Sequence, residues 1–187
     1  MIVLNKKTGF YEDVVMAGFG GQGLMFIGKL LAFSAMKEGR HVTWIPSYGP
    51  EMRGGAANCN VVISDGEIGS PVPPHPRAAI VMNNPSLDTF EPKLKADGLL
   101  LVNSSFVTEP VKRKDVRAIC VAANEVAVEA GNEKAANMVM LGVYVAKTHV
   151  VSKESVIAGL KELFANKAGV LDANVRAFEA GLRCKAK

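Results

Sequence analysis

Cysteine is scarce in this sequence, and the three present, Cys59, Cys120 and Cys184, stand far apart along the chain. That spacing excludes a CxxC pair and a disulfide framework, and it points to a reducing cytoplasm. Iron–sulfur clusters take four thiolates in clustered spacing, so this chain alone is not expected to hold one. Histidine is equally thin. His41, His75 and His149 have no Asp, Glu or Cys at ligand spacing, so no metal site is expected. No run approaches the roughly 20 apolar residues a bilayer span requires. Met1 to Phe10 carries Lys6 and Lys7 with no long apolar core behind them, so neither a membrane span nor a secretory signal is expected. Internal repeats and low-complexity tracts are lacking. The excess of one charge is small: 22 Lys and Arg against 18 Asp and Glu, a net +4 and a pI near 9.0. That is too mild and too scattered to indicate nucleic acid, and it is compatible with an anionic small ligand.

What is present is a globular balance, 49% hydrophobic and 21% charged over 187 residues, which suits one domain spanning residues 1–187. Glu12 to Ala17 reads as a buried strand that runs into Gly18-Phe19-Gly20-Gly21-Gln22-Gly23. Leu24 to Glu38 follows as a helix apolar on most faces, packed on two sides and closed by Gly39. His41 to Pro46 returns as a second strand and completes a βαβ unit. Asn58 to Ile63 is a third strand, which the Ser64-Asp65-Gly66-Glu67 turn is expected to bend into a short hairpin. Pro71, Pro73, Pro74 and Pro76 make an extended connector. Ala78 to Met82 and Gly98 to Val102 are short continuous apolar runs, read as central strands, with Pro85 to Lys95 as a helical crossover. Val116 to Val121 is a further strand. Helical periodicity then covers Asn124 to Ala130, Glu133 to Thr148, Ser152 to Phe164 and Val170 to Cys184, with Ser152 and Ser155 near an N-cap. The expected fold is a three-layer, doubly wound α/β domain: a mostly parallel sheet, a Rossmann-like first βαβ unit and a helical carboxy-terminal part.

The glycine segment matches GxGxxG in its required setting, after a strand and before a helix. Glycines there let the backbone turn tightly and let an anion approach the free N–H groups at the helix start, where the macrodipole is favourable. The alternative is that they merely allow close strand–helix packing or meet a neighbouring subunit. A nicotinamide or flavin dinucleotide would want an acid at the end of the second strand. Thr43-Trp44-Ile45-Pro46-Ser47 supplies none, and a Walker A ending is also missing. The Pro- and Gly-dense loop Ser47-Tyr48-Gly49-Pro50-Glu51-Met52-Arg53-Gly54-Gly55 is expected to emerge beside the glycine turn, because the first two parallel strands are expected to be neighbours. Arg53 suits bidentate pairing with a phosphate or carboxylate, or else it pairs with Glu51 or a partner protein. Tyr48 and Met52 suit an adenine or an apolar arm. Ser104 and Ser105 lack a GxSxG elbow and read as a cap at a helix start. Lys112-Arg113-Lys114 reads as a solvated face. Met138 to Val145 is apolar enough to be central core or a subunit interface.

Taken together, the glycine segment, the Ser47 to Gly55 loop and Asn137-Met138-Val139-Met140-Leu141-Gly142 resemble the gamma subunit of 2-oxoacid:ferredoxin oxidoreductases, over nearly the whole chain. The resemblance implies a subunit of an enzyme that oxidatively decarboxylates a 2-oxoacid on thiamine diphosphate, passes electrons through Fe–S clusters to ferredoxin and releases an acyl-CoA. It places thiamine diphosphate and the clusters on alpha, beta or delta partner subunits. For this chain it implies a part in coenzyme A binding, carried by Gly18, Phe19, Gly20, Gly21, Gln22 and Gly23 and by Ser47, Tyr48, Gly49, Pro50, Glu51, Met52, Arg53, Gly54 and Gly55. The Pro-Glu-Met-Arg-Gly-Gly form is closer to 2-oxoglutarate and branched-chain members than to pyruvate members. A purely structural subunit, or the smaller subunit of an indolepyruvate enzyme, are the alternatives. Ser64-Asp65-Gly66 with Asn83-Asn84 imitates the thiamine motif, but its first glycine is missing and its spacing is short, so it reads as a turn and a strand end.

Overall fold

Continuous apolar runs become buried strands here because helices cover both faces of the sheet. The computed structural model describes residues 9–48, 55–165 and 168–184, with Tyr48 described in its backbone only. Six strands form one sheet: β1 (Tyr11–Phe19), β2 (His41–Tyr48), β3 (Ala56–Ser64), β4 (Ala78–Val81), β5 (Leu99–Asn103) and β6 (Arg117–Val121). Their order is β2-β3-β1-β4-β5-β6. β1, β4, β5 and β6 pair in parallel, while β3 is antiparallel to both β1 and β2. Five strands therefore point one way and one points back, which is the mostly parallel α/β sheet that the residue pattern predicts.

Alternate β1 side chains divide the core. Val14 and Met16 face the larger cluster, built with α1 (Leu24–Lys37), α3 (Ala123–Glu129), α4 (Ala136–Thr148), α5 (Lys153–Leu163) and α6 (Ala168–Arg183). Val15 faces the smaller one, with Leu87 of α2 (Asn84–Phe90). α1 lies between the sheet and α5, and it ends in a Schellman arrangement: the Gly39 N–H donates to Met36 O and the Arg40 N–H to Ala35 O. Ser152 caps α5 through the Ser155 N–H at 3.1 Å. Met138 to Val145 of α4 are all buried, so that stretch is core.

Four expectations change. First, β1 and β2 run the same way but are not neighbours, because β3 lies between them and pairs antiparallel with both. Second, no hairpin forms at Ser64–Glu67. Both edges of β3 are already paired, so its end leads into the proline connector, and the hairpin is β2–β3. Third, the expected helix from Glu133 opens as a 3-10 turn, Glu133–Ala135, before α4, and the crossover from Pro85 breaks into α2 and a 3-10 turn, Glu91–Lys93, at Pro92, which has no N–H for a helical bond. Fourth, the basic run is braced rather than simply solvated. The Lys112 and Arg113 N–H groups both donate to the buried Glu91 carboxylate at 2.6 Å, and Arg113 pairs with Asp115.

Candidate functional site

β1 delivers the glycine segment to the carboxyl end of the sheet beside the end of β4, where chain connections diverge: α1 leads toward β3 and β2, and α2 leads toward β5. Open α/β sheets bind ligands in such a crevice. The turn braces itself. The Phe19 N–H donates to Gln22 Oε1 at 2.6 Å, Gln22 Nε2 donates to Met82 O at 3.3 Å, and the Gln22 N–H donates to Phe19 O at 3.3 Å. Gln22 is thus a strut between β1 and β4.

The glycines divide by role. A side chain at Gly18 would collide with Gln22 and press on Met82 and Leu24. Gly23, at φ +75°, is the N-cap of α1, and a Cβ there would collide with the Asn137 side chain, whose Nδ2 donates to Gly23 O at 3.2 Å. Gly21, at φ +96°, has nothing within 4 Å of an added Cβ. Gly18 and Gly23 serve packing, and Gly21 faces open space.

No side chain caps α1, and its first turn holds no acid. The Gly21, Gly23, Leu24, Met25 and Phe26 N–H groups meet no acceptor among the described residues. Such groups at a helix start carry the positive end of the macrodipole and suit an oxyanion. Two cavities flank the turn. One, of about 310 Å³, is mainly apolar and is lined by Phe19, Met25, Phe26, Ala56 and Ala57 with the turn itself. The other, of about 220 Å³, brings Lys134, Asn124, Asn137 and the exposed Phe106 against Gly21 and Gln22.

The second candidate segment meets the first at one described point: the Gly20 N–H donates to Gly55 O at 3.1 Å. Ser47 and Tyr48 lie in β2 opposite Asn58 and Ala57, one strand removed from β1. Gly49, Pro50, Glu51, Met52, Arg53 and Gly54 lie outside the described residues. Proximity of the two segments thus comes from β3, which starts at the turn and pairs with both strands. Of Asn137, Lys134 and Phe106, only Asn137 carries a sequence signal, as a polar residue opening the apolar segment Asn137 to Gly142; Lys134 and Phe106 reach the turn through the fold alone.

The thiamine look-alike comes apart. Asp65 follows β3 at the amino end of β1, where its carboxylate accepts the Phe10 N–H at 2.9 Å, whereas Asn83 caps α2 at the carboxyl end of β4. These residues sit at opposite ends of the sheet and do not form a diphosphate site. Among the described residues no group of three or more His, Cys, Asp or Glu could hold a metal ion. Cys59 is buried against Leu24 O, and burial pushes its thiol up to about 12, which leaves it inert. Ser105 caps a helix from outside it: its Oγ accepts the Asn124 N–H of α3 at 3.0 Å and donates to Glu125.

The family model for pyruvate ferredoxin/flavodoxin oxidoreductase matches residues 13–184. Ketoisovalerate oxidoreductase subunit VorA of Methanothermobacter thermautotrophicus is 43% identical over 169 residues, which cover 90% of this chain and 35% of VorA. The chain therefore spans about a third of that relative. The 2-oxoglutarate synthase subunit KorC of Methanothermobacter marburgensis is 35% identical over 177 residues, covering 91% of this chain and 94% of KorC. Among solved structures, the keto/oxoacid ferredoxin oxidoreductase gamma subunit from Geobacter sulfurreducens superposes with a TM-score of 0.77 at 32% identity, over 91% of this chain and 95% of that one.

Proposed function

The chain belongs to the pyruvate ferredoxin/flavodoxin oxidoreductase family, and from that premise we propose that it works as the gamma-type part of a 2-oxoacid:ferredoxin oxidoreductase. The reaction is 2-oxoacid, coenzyme A and oxidised ferredoxin to acyl-CoA, carbon dioxide and reduced ferredoxin. Thiamine diphosphate and the Fe–S clusters belong, in this proposal, to alpha, beta and delta-type partners, and the chain works in the cytoplasm. The names of the VorA and KorC relatives favour a branched-chain 2-oxoacid or 2-oxoglutarate over pyruvate. Thiamine diphosphate supplies the carbanion chemistry wherever it is bound, and this chain's part is to position coenzyme A.

The observation that carries the coenzyme A role is the set of α1 amides without an acceptor among the described residues, opening between two cavities. In this reading the open Gly21, Gly23, Leu24 and Met25 amides receive the diphosphate, and Lys134, next to Glu133, lines the cavity on the α4 side. The apolar cavity by Phe19 and Met25 accommodates an uncharged arm. Main-chain donors at a helix start need no proton transfer and hold the anion at any physiological pH. The apolar lining of that cavity, with Phe19 42% exposed, also suits a scaffold role in which the turn meets a neighbouring subunit.

Steady-state kinetics of the assembled enzyme separate the two. Gly21→Asp sets a carboxylate beside the amides, and Gly21→Asn keeps the shape and tolerance for positive φ without the charge. The expected result is a KM for coenzyme A raised at least about tenfold in Gly21→Asp, little change in Gly21→Asn, and intact subunit composition in both. Unchanged coenzyme A kinetics in both variants, or loss of a partner subunit in Gly21→Asp, supports the scaffold instead. A parallel activity screen over pyruvate, 2-oxoglutarate, 2-oxoisovalerate and indolepyruvate assigns the oxoacid.

A further inference from the structure

The opposite end of the sheet holds a cavity that the coenzyme A reading does not use. It measures about 460 Å³ and is lined by Glu12, Arg77, Lys95, Asp97, Arg117 and Lys147, with backbone from the turn that precedes β5. Five parts of the chain converge there: the start of β1, the start of β4, the turn into β5, the start of β6 and the end of α4. Elsewhere on the molecule some cations sit on acids, as in Lys37–Glu162, Lys112–Asp88, Arg113–Asp115 and Lys153–Glu179, while others, such as Lys29, Lys134 and Lys161, stand singly without a salt bridge among the described residues. Arg77, Lys95, Arg117 and Lys147 form no salt bridge among the described residues.

Their arms are nevertheless held. Arg77 Nη1 donates to Tyr11 O at 2.8 Å with its guanidinium 5.0 Å from the Tyr11 ring, and Arg117 Nε donates to Asp97 O at 3.2 Å. Anchoring each guanidinium by one N–H to a carbonyl leaves other N–H groups for a ligand. Lys147 also offsets the carboxyl end of the α4 dipole, which accounts for one cation of the four and leaves three unexplained.

We propose that this cavity is a second anion site, taking a small ligand with two or more phosphate-type charges. Four cations set against the acids Glu12 and Asp97 leave the wall net positive, and a concavity focuses that positive potential into its interior. Its volume lies within the range of small-molecule sites, and two arginines match the geometry of phosphate oxygens. The concave shape favours a compact ligand over an acidic protein surface. Glu12 forms part of the wall. Its carboxyl accepts from Tyr144 Oη at 3.3 Å, and burial, with Asp13 beside it, pushes it up to about 7 against the pull of Arg77 and Arg117. Tyr144 and Asp13 are also held above their ordinary values, chiefly by burial. A bound anion favours protonated Glu12, so the site takes up a proton on binding.

The test is titration of the full chain with inorganic pyrophosphate, followed residue by residue in amide NMR spectra. Saturable shifts are expected at residues 12, 77, 95–99, 117 and 147, with affinity at least about tenfold weaker in Arg117→Glu and unchanged in Lys161→Glu, an exposed charge reversal on α5. If Arg117→Glu does not fold, Lys95→Gln with Lys147→Gln replaces it, both positions being exposed. Inorganic sulfate, whose own charge is constant from pH about 6 to about 8, is expected to bind more tightly at the lower pH, and Glu12→Gln to flatten that difference. Shifts spread over surface lysines, equal loss in Lys161→Glu, or tighter binding of a polyglutamate peptide than of pyrophosphate would overturn the proposal.

Discussion

At the scale of single residues, a motif's letters do not say which glycine serves which purpose. Gly18, Gly20 and Gly23 carry the GxGxxG match, yet Gly18 and Gly23 answer to Met82, Leu24 and Asn137. The glycine with room beside it is Gly21, which the motif leaves free. Steric need at those positions comes from β4 and α4, many residues away in sequence, and so was not readable from the strand–turn–helix signal. Glu12 makes the same point for charge. It opens a strand read as buried, and the fold half-buries its carboxyl beside Asp13 and Tyr144, raising it to about 7. The sign of the consequence is fixed by linkage. Between the unfolded value of roughly 4.3 and the folded value the native state holds the extra proton, so this group's contribution falls as pH rises through that window. Below it there is no penalty, and above it the full penalty applies. Glu12→Gln keeps an acceptor for Tyr144 and removes the titration. Thermal unfolding midpoints of the two proteins are expected to differ by a constant amount below the window. The difference should move in favour of the variant through it and level off above about pH 7. A difference that is flat throughout would show that Glu12 is not held protonated in the native chain.

At the scale of elements, composition located almost every strand and helix but not their pairing. The Ser47 to Gly55 segment reads as a ligand loop between neighbouring parallel strands. In the fold it also links an antiparallel pair, and β3 takes the place next to β1. A buried strand apolar on both faces carries no period that distinguishes parallel from antiparallel neighbours, so this order was not legible. The helices show the reverse. Gly142 of α4 and Gly181 of α6 look like weak points in good helices, and the fold presses them together: a Cβ at Gly142 would collide with Phe178 O, and one at Gly181 with Val139 O. The α4–α6 crossing at this point therefore depends on the absence of two side chains. Gly142→Ala is expected to lower unfolding free energy by about 2–4 kcal/mol in urea titrations, because backbone rather than a flexible side chain must move. Gly169→Ala, also in α6 but with nothing within 4 Å, should be neutral or stabilising by up to about 1 kcal/mol through helix propensity. Equal effects at the two sites would mean that the helices do not touch through Gly142.

At the scale of the whole molecule, the sheet separates two positively disposed ends. The carboxyl end offers main-chain amides at the start of α1, and the amino end offers the side-chain cations Arg77, Lys95, Arg117 and Lys147. β1 joins them, running from Tyr11 to Phe19, roughly 25–30 Å at the usual rise per residue. The first end was legible in the sequence because a glycine turn between a strand and a helix is local. The second was not, because its residues come from five separate stretches that only the β1-β4-β5-β6 order and the end of α4 bring together. Across that span surface electrostatics are screened at physiological salt, whose Debye length is about 8 Å. Among the described residues no side chain lines both the amino-end cavity and either cavity beside the turn. Substitutions at the two ends are therefore expected to act independently. In the assembled enzyme Arg117→Glu should leave the KM for coenzyme A where it was. Combining it with Gly21→Asp should multiply the separate effects on kcat/KM to within a factor of about 2. A KM for coenzyme A that rises with Arg117→Glu alone would mean that the amino-end cavity is part of the coenzyme A path, and the division of the molecule into two separate anion sites would fail.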